Sequence, residues 1–249
     1  MKFNTNSNTY IIIYSVVMVV IVAVLLSLAA LGLKSRQDEN ILNEKKTQIV
    51  KALGEDPATV AYDSVIAKAV ILDAAGNVVS ENVGEVFTAL NDLKGSFAAE
   101  RFPLFIANSG VVVPLYGAGL WGPIWGYIAL DADMNTVKGI VLDHSGETPG
   151  LGAEITTPKH QAMYPGKTVY EGDAIVGVTL KKGGADKSNP HEVDAITGGT
   201  KTSDGVSAMI SECLNYYKPY FDAARATLSE AAAEVMVESN TINEYNNGK

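Results

Sequence analysis

The longest apolar run of the chain lies near its N-terminus, Tyr10–Leu33, and contains no charged residue. As an α-helix it would span roughly 36 Å, at about 1.5 Å per residue, which is enough to cross a bilayer core. No polar face interrupts it, as one would in an amphipathic helix of a soluble protein. A cleaved signal peptide is the alternative, with small residues at Ser27-Leu28-Ala29, although its apolar region would usually have only ~7–15 residues. We predict a transmembrane helix over residues 10–33, after a stub of residues 1–9.

A charged segment follows this span. Its apolar residues recur near helical spacing, at Ile41, Leu42, Ile49 and Leu53. We predict a connecting helix over residues 34–54, ended by Asp56-Pro57. Positive charges after the span exceed those before it by only a few, so the positive-inside rule slightly favours a cytoplasmic location for the rest of the chain.

The pattern of the next part favours β-strands. Short β-branched and apolar runs predict four strands, Val111–Leu115, Tyr127–Leu130, Thr136–Leu142 and Ala174–Leu180, with 131–135 as a hairpin connection. Two earlier runs, 69–72 and 77–80, predict another hairpin. We therefore predict an α+β fold over residues 55–228, with an antiparallel sheet and flanking helices, followed by a C-terminal tail, 229–249.

An amphipathic helix is predicted near the end of this domain. Apolar residues recur at i, i+3, i+4, i+7, i+8 and i+11, namely Val206, Met209, Ile210, Cys213, Leu214 and Tyr217. Thr202, Ser203 or Asp204 is expected to supply the N-cap, and Pro219 to limit the far end. Thr200 would then lie on a Gly-Gly turn just before the helix, where free N–H groups favour a phosphate. A simple helix cap is the more common role of such a cluster.

Composition narrows the choice of function. The chain has 249 residues and a net charge of −9, which argues against a nucleic-acid-binding surface. Its one cysteine, Cys213, forms no intrachain disulfide and is best explained as a core thiol. The three histidines are scattered and give no zinc-ligand spacing, so we expect no metal site.

The segment 194–200 resembles the flavinylation motif of bacterial FMN-binding domains. Asp194 precedes Thr197-Gly198-Gly199-Thr200 by the offset typical of that family. Gly199 stands where alanine is usual, and Lys201 where an apolar residue is common. The resemblance implies that a separate flavin transferase esterifies Thr200 to the phosphate of FMN.

Two further segments resemble the same family. Gly146–Gly152 (GETPGLG) is similar to the loop that holds the isoalloxazine ring, which implies contacts from Glu147, Thr148, Gly150 and Leu151. Gly117–Gly122 (GAGLWG) resembles a motif of the C-subunit family of Na⁺-translocating NADH:quinone oxidoreductases. There Trp121 would pack near the flavin, with a buried core aromatic as the alternative. Lys182, eighteen residues before Thr200, agrees with that family.

The resemblance implies an electron-transfer subunit with covalent FMN, in a bacterial inner-membrane complex that oxidises NADH, reduces quinone and exports Na⁺. Its implied partners are the other subunits, the flavin transferase and the membrane. The family also implies a periplasmic domain, against the slight charge bias. The alternatives are the G subunit of an Rnf ferredoxin:NAD⁺ complex, which shares the flavinylation motif, and a membrane-anchored FMN-binding module without redox function.

Overall fold

The computed structural model describes residues 7–230, and its first element is a single long helix, α1, Asn8–Ala52. Its apolar part is long enough to cross a membrane, and none of that part is buried within the protein. The predicted span, 10–33, lies within α1, and the predicted connecting helix, 34–54, overlaps its remainder. The chain divides into two compact units between Lys45 and Lys46. The proposed limits of stub, span, connector, domain and tail stay predictions.

The second unit is built on a six-stranded antiparallel sheet with the strand order β2-β1-β3-β4-β5-β6. The strands are β1 Ile66–Leu72, β2 Val78–Ser80, β3 Phe102–Ala107, β4 Gly110–Ala118, β5 Pro123–Asp131 and β6 Val137–His144. The predicted β1–β2 hairpin and the β5–β6 hairpin are both confirmed. Asp133 stabilises the β5–β6 connection because its carboxylate accepts hydrogen bonds from the backbone N–H groups of Asn135 and Thr136.

The predicted strand over 174–180 is wrong as one element. It is divided into β8 Ala174–Ile175, which pairs with β7 Tyr170–Glu171, and β9 Thr179–Lys181, which pairs in parallel with β10 Glu192–Asp194. Gly177 separates the two pieces, with φ +70°, and a Cβ there would lie 3.1 Å from the backbone of Ser211. The left-handed conformation ends the extended run and lets the chain pass close to the C-terminal helix.

The helices of this unit are short except for one. They are α2 Tyr62–Val65, α3 Val83–Asn91, α4 Leu93–Ala98, α5 Pro158–Gln161 and α6 Thr200–Tyr216, with a 3₁₀ turn at Gly152–Thr156. Residues 218–230 are helical as well. The six residues predicted to form the apolar face of α6 are all buried, and Cys213 is a core thiol as expected.

The sheet has a hydrophobic core on each face. Along β4 the alternation of a strand sends Val111 and Val113 into the core that includes the apolar face of α6. Val112 points into the opposite core, which includes Phe87 of α3 and Ile49. An N-terminal apolar helix followed by an antiparallel sheet with flanking helices confirms the predicted α+β fold.

Candidate functional site

The three segments singled out from the sequence meet at one buried carboxylate. Glu147 is 5% exposed and lies in the loop after β6. Its Oε1 accepts a hydrogen bond from the backbone N–H of Trp121, at 2.9 Å, in the β4–β5 connection. Its Oε2 accepts one from the hydroxyl of Thr202, at 2.6 Å, in the first turn of α6. One side chain therefore connects all three segments.

Two glycines make room for this carboxylate. A Cβ on Gly119 would lie 2.4 Å from Glu147 Oε1, and a Cβ on Gly152 would lie 2.4 Å from Oε2 and from the Thr202 hydroxyl. Side chains at these positions would occupy the space that the carboxylate now fills. The two glycine-rich segments thus allow backbone and carboxylate to approach each other closely.

The ionised form of Glu147 is the one that this environment stabilises. Burial by itself raises the pKa of the carboxyl, but hydrogen bonds from the Thr202 hydroxyl and from the Trp121 and Leu120 amides, with nearby His144, hold that pKa below its ordinary value. The carboxylate therefore contributes stability above the pKa of an unfolded glutamate, about 4.3, and loses it as the pH falls further.

Thr200 is the first residue of α6, where the sequence placed it just before the helix. The predicted N-cap at Thr202, Ser203 or Asp204 is wrong. Gly199 holds the capping position without a side-chain hydrogen bond, and the Ser203 N–H donates to its carbonyl oxygen at 2.9 Å. The hydroxyls of Thr202 and Ser203 are occupied elsewhere, the latter by the Ile196 N–H at 3.1 Å.

The Thr200 hydroxyl has no hydrogen-bond partner within residues 7–230, and the residue is half-buried. The N–H groups of the first helical turn have no acceptor inside the helix, and they carry its positive dipole end. A nucleophilic oxygen and donors for a phosphate thus lie side by side. Such a position suits an acceptor for a phosphoryl group.

The turn before Thr200 packs against the loop that holds Glu147. A Cβ on Gly198 would lie 2.6 Å from Leu151 Cδ2, and one on Gly199 would lie 3.3 Å from the Cα of Gly152. Thr197 is exposed at the start of this turn. The predicted ring-binding loop and the predicted flavinylation motif are therefore direct neighbours.

The remaining predicted residues of the loop face outward. Thr148 and Gly150 are exposed, and the Gly150 N–H donates to Glu154 Oε1 at 3.2 Å. Leu151 is 41% exposed and Trp121 is 69% exposed. The exposure of Trp121 excludes the alternative of an aromatic that fills the core. Both apolar side chains are free to cover a planar ligand.

Lys182 and Asp194 lie together on a neighbouring edge. Strands β9 and β10 run in parallel, with Lys181 opposite Asp194, so Lys182 follows directly. Asp194 Oδ1 accepts a hydrogen bond from the Ala185 N–H at 2.7 Å and so fixes the turn that contains Lys182. Lys182 is exposed, and among residues 7–230 no hydrogen bond or ion pair joins it to Glu147.

Two open grooves flank this cluster. One, of about 720 Å³, has an aromatic lining that includes Phe97, Tyr116, Trp121 and Tyr216. The other, of about 340 Å³, lies on the Thr197 side and includes Gly150, Glu154, His160, Met163 and Ile196.

His160, at the floor of the smaller groove, is expected to make the protein acid-sensitive. It is 3% exposed, its Nε2 lies 3.1 Å from the Tyr164 hydroxyl, and its Nδ1 has no partner among the described residues. Burial lowers its pKa to about 4. Below the pKa of an unfolded histidine, about 6.5, the unfolded chain binds one more proton, so stability falls by about 1.4 kcal/mol per pH unit until the pH reaches the folded value.

We expect a loss of about 2 kcal/mol between pH 6.5 and pH 5 from this histidine. His160→Gln should flatten that part of the curve, because a glutamine does not titrate there. Urea unfolding of both proteins at pH 7, 6 and 5 measures the difference. An unchanged slope in the variant would assign the acid sensitivity to other groups.

Thr202 and His144 belong to the cluster although the sequence did not single them out as site residues. Thr202 was expected only as a cap, and the Nδ1 of His144 accepts the Glu147 N–H at 3.2 Å. The available signal was Glu147 itself. An acidic residue in a glycine-rich, largely apolar loop requires hydrogen-bond donors once it is buried.

Comparisons with known proteins agree with this site. A family of FMN-binding domains matches residues 119–215, the range that holds the whole cluster. The C subunit of the Na⁺-translocating NADH-quinone reductase from Pseudomonas aeruginosa is 30% identical over 262 residues, 92% of this chain and 99% of that protein. Its counterpart from Pasteurella multocida is 43% identical over 135 residues, 54% of this chain and 47% of that protein.

Solved structures show the same fold. The crystal structure of the corresponding protein from Parabacteroides distasonis has a TM-score of 0.69 and 34% identity, and the match covers 76% of this chain and 96% of that one. The Shewanella oneidensis protein NqrC has a TM-score of 0.61 and 27% identity, with 74% and 99% covered. Since the Pseudomonas relative is matched along almost its whole length, this chain belongs to the family of C subunits of the Na⁺-translocating NADH-quinone reductases.

Proposed function

We propose that this chain carries FMN on Thr200 through a phosphoester and transfers electrons within a membrane complex. One observation carries the proposal above the others. The unpartnered Thr200 hydroxyl stands at the first residue of α6, beside the free amides of that turn and next to the glycine-rich loop 146–152. In flavin transfer its oxygen forms the bond to phosphorus, the donor's phosphate ester bond breaks, and the hydroxyl proton is released.

The surrounding residues would hold the parts of the cofactor. The amides of the first helical turn would receive the phosphate, and Lys201 and Lys182 would offset its charge. The small Thr197-Gly198-Gly199 turn gives a transferase access to the hydroxyl. Once bound, the flavin supplies the redox chemistry, and the protein positions it.

The loop and the β4–β5 connection would contact the ring. The exposed apolar surfaces of Leu151 and Trp121 suit the faces of a planar isoalloxazine. Thr148 and the Gly150 region present polar groups that can reach its carbonyl and nitrogen edge. We assign these contacts to the loop, while the carboxylate of Glu147 points inward.

The complex is proposed to couple NADH oxidation and quinone reduction to Na⁺ export, as the names of the relatives state for those proteins. In that setting α1 anchors the chain in the bacterial inner membrane, with the flavin domain on the periplasmic side. A covalent bond would prevent loss of the flavin into an open compartment. These relatives favour this assembly over an Rnf complex.

Mass spectrometry tests the covalent bond directly. The full chain, co-expressed with a flavin transferase, should gain the mass of one FMN unit, and peptide mapping should place it on the peptide that contains Thr200. In the assembled complex, added NADH should bleach the absorbance of the oxidised flavin. An unmodified chain under these conditions, or an adduct on another hydroxyl, would contradict the proposal.

A further inference from the structure

We propose that Glu147 is a positioning residue that clamps the three segments of the flavin site together and makes no contact with the flavin itself. The inference rests on the proposed function and specifies how the chain prepares Thr200 for flavin transfer. The family resemblance implies that Glu147 hydrogen-bonds the isoalloxazine ring. The geometry around its carboxylate gives it a different role.

Both carboxylate oxygens already have protein partners. Oε1 accepts from the Trp121 N–H and Oε2 from the Thr202 hydroxyl, at 2.9 and 2.6 Å. The side chain is 5% exposed, and the space around its two oxygens is closed by Gly119 and Gly152. A ring lying on the exposed outer side of the loop therefore meets Thr148 and Leu151, whose side chains face solvent.

The clamp joins parts of the chain that are distant in sequence. Trp121 lies 26 residues before Glu147, and Thr202 lies 55 residues after it. Hydrogen bonds to an ionised, buried acceptor are among the stronger ones in proteins, and a donor left without its acceptor is costly to bury. The clamp consequently resists separation of the β4–β5 connection from α6.

Thr200 gains its orientation from this contact. It precedes Thr202 in the same helical turn, so fixing the Thr202 hydroxyl also fixes the direction in which the Thr200 hydroxyl points. On the other side of the clamp, the backbone of Trp121 is held while its indole stays exposed. A single carboxylate thereby sets the acceptor oxygen and the aromatic that would cover the ring.

Variants of Thr202 separate the hydroxyl from the bulk of the side chain. Thr202→Val keeps the shape and removes the donor, whereas Thr202→Ser keeps the donor. With purified transferase and flavin donor, we expect the rate of FMN incorporation into Thr202→Val to fall about tenfold or more, and Thr202→Ser to stay within about twofold of the unaltered chain, since one buried hydrogen bond to a charged group is worth about 1.5–3 kcal/mol. Glu171→Gln, an exposed acid on β7, is the control for loss of one negative charge.

Hydrogen exchange tests the clamp without any flavin. In the apo-protein, Glu147→Ala should increase the exchange rate of the Trp121 amide about tenfold or more, while Glu147→Gln, which keeps one acceptor oxygen, should give a smaller increase. Thr202→Val reports the same coupling in case Glu147→Ala does not fold. Thermal unfolding of each variant identifies those that are folded at the assay temperature.

The two proposals fail in different ways. If the unaltered chain never acquires FMN, the proposed function is wrong, and Trp121 exchange still decides whether the clamp exists. If the unaltered chain is loaded normally and folded Thr202→Val matches it in both loading rate and Trp121 exchange, the clamp is wrong alone. Equal loss of loading in Thr202→Val and Thr202→Ser would also overturn it, because a clamp requires only the hydroxyl.

Discussion

Thr200→Val is expected to abolish covalent flavin attachment and to leave the domain folded. Valine has nearly the shape of threonine and removes only the oxygen that would bond to phosphorus. Because that hydroxyl has no hydrogen-bond partner among the described residues, its loss should change the free energy of unfolding by no more than about 0.5 kcal/mol. The fluorescent flavin band on a denaturing gel and the intact mass should both report complete loss.

Thr197→Ala is the matched control for this experiment. Thr197 lies in the same turn, is exposed, and its hydroxyl also has no partner among the described residues. Its removal should leave the flavin band intact. A band that persists in Thr200→Val and disappears in Thr197→Ala would show that the acceptor hydroxyl is the earlier one. Loss in both variants would point to damage of the turn.

Local patterns in the sequence predicted the elements that depend on local patterns. The alternation along 111–115 and the helical stripe from Val206 to Tyr217 reflect burial on one face, and the structure buries them as expected. The antiparallel meander β4–β5–β6 also explains why two motifs meet. Ala118 lies opposite Pro123 and Ile124 opposite His144, so the segments that follow β4 and β6 emerge at the same end of the sheet.

Long-range contacts decided what the sequence could not give. The first residue of α6 was misplaced because the best local cap candidates, Thr202 and Ser203, use their hydroxyls on Glu147 and Ile196. The short strands β9 and β10 pair in parallel across a long connection, which leaves no two-residue periodicity to detect. The role of Glu147 likewise depends on partners 26 and 55 residues away.

Gly205→Ala is expected to destabilise the domain, although alanine is the better helix former. A Cβ at this position of α6 would lie 2.2 Å from the carbonyl oxygen of Ala118 on β4. That atom belongs to the backbone of a paired strand and has no rotamer into which it can move. The helix must retreat from the sheet, and overpacking of this kind costs about 1–3 kcal/mol, more than the gain of about 1 kcal/mol in helix propensity.

The retreat should also disturb the site, because Gly205 is one turn from Thr202 and the Glu147 carboxylate. We expect a net loss of about 1–2 kcal/mol in urea unfolding and slower incorporation of FMN. Ala208→Gly is the matched control. Ala208 is exposed on the same helix, so its replacement should cost about 1 kcal/mol through propensity alone and leave flavin incorporation unchanged. A Gly205→Ala protein as stable as the unaltered chain would mean that helix and strand are farther apart than this packing requires.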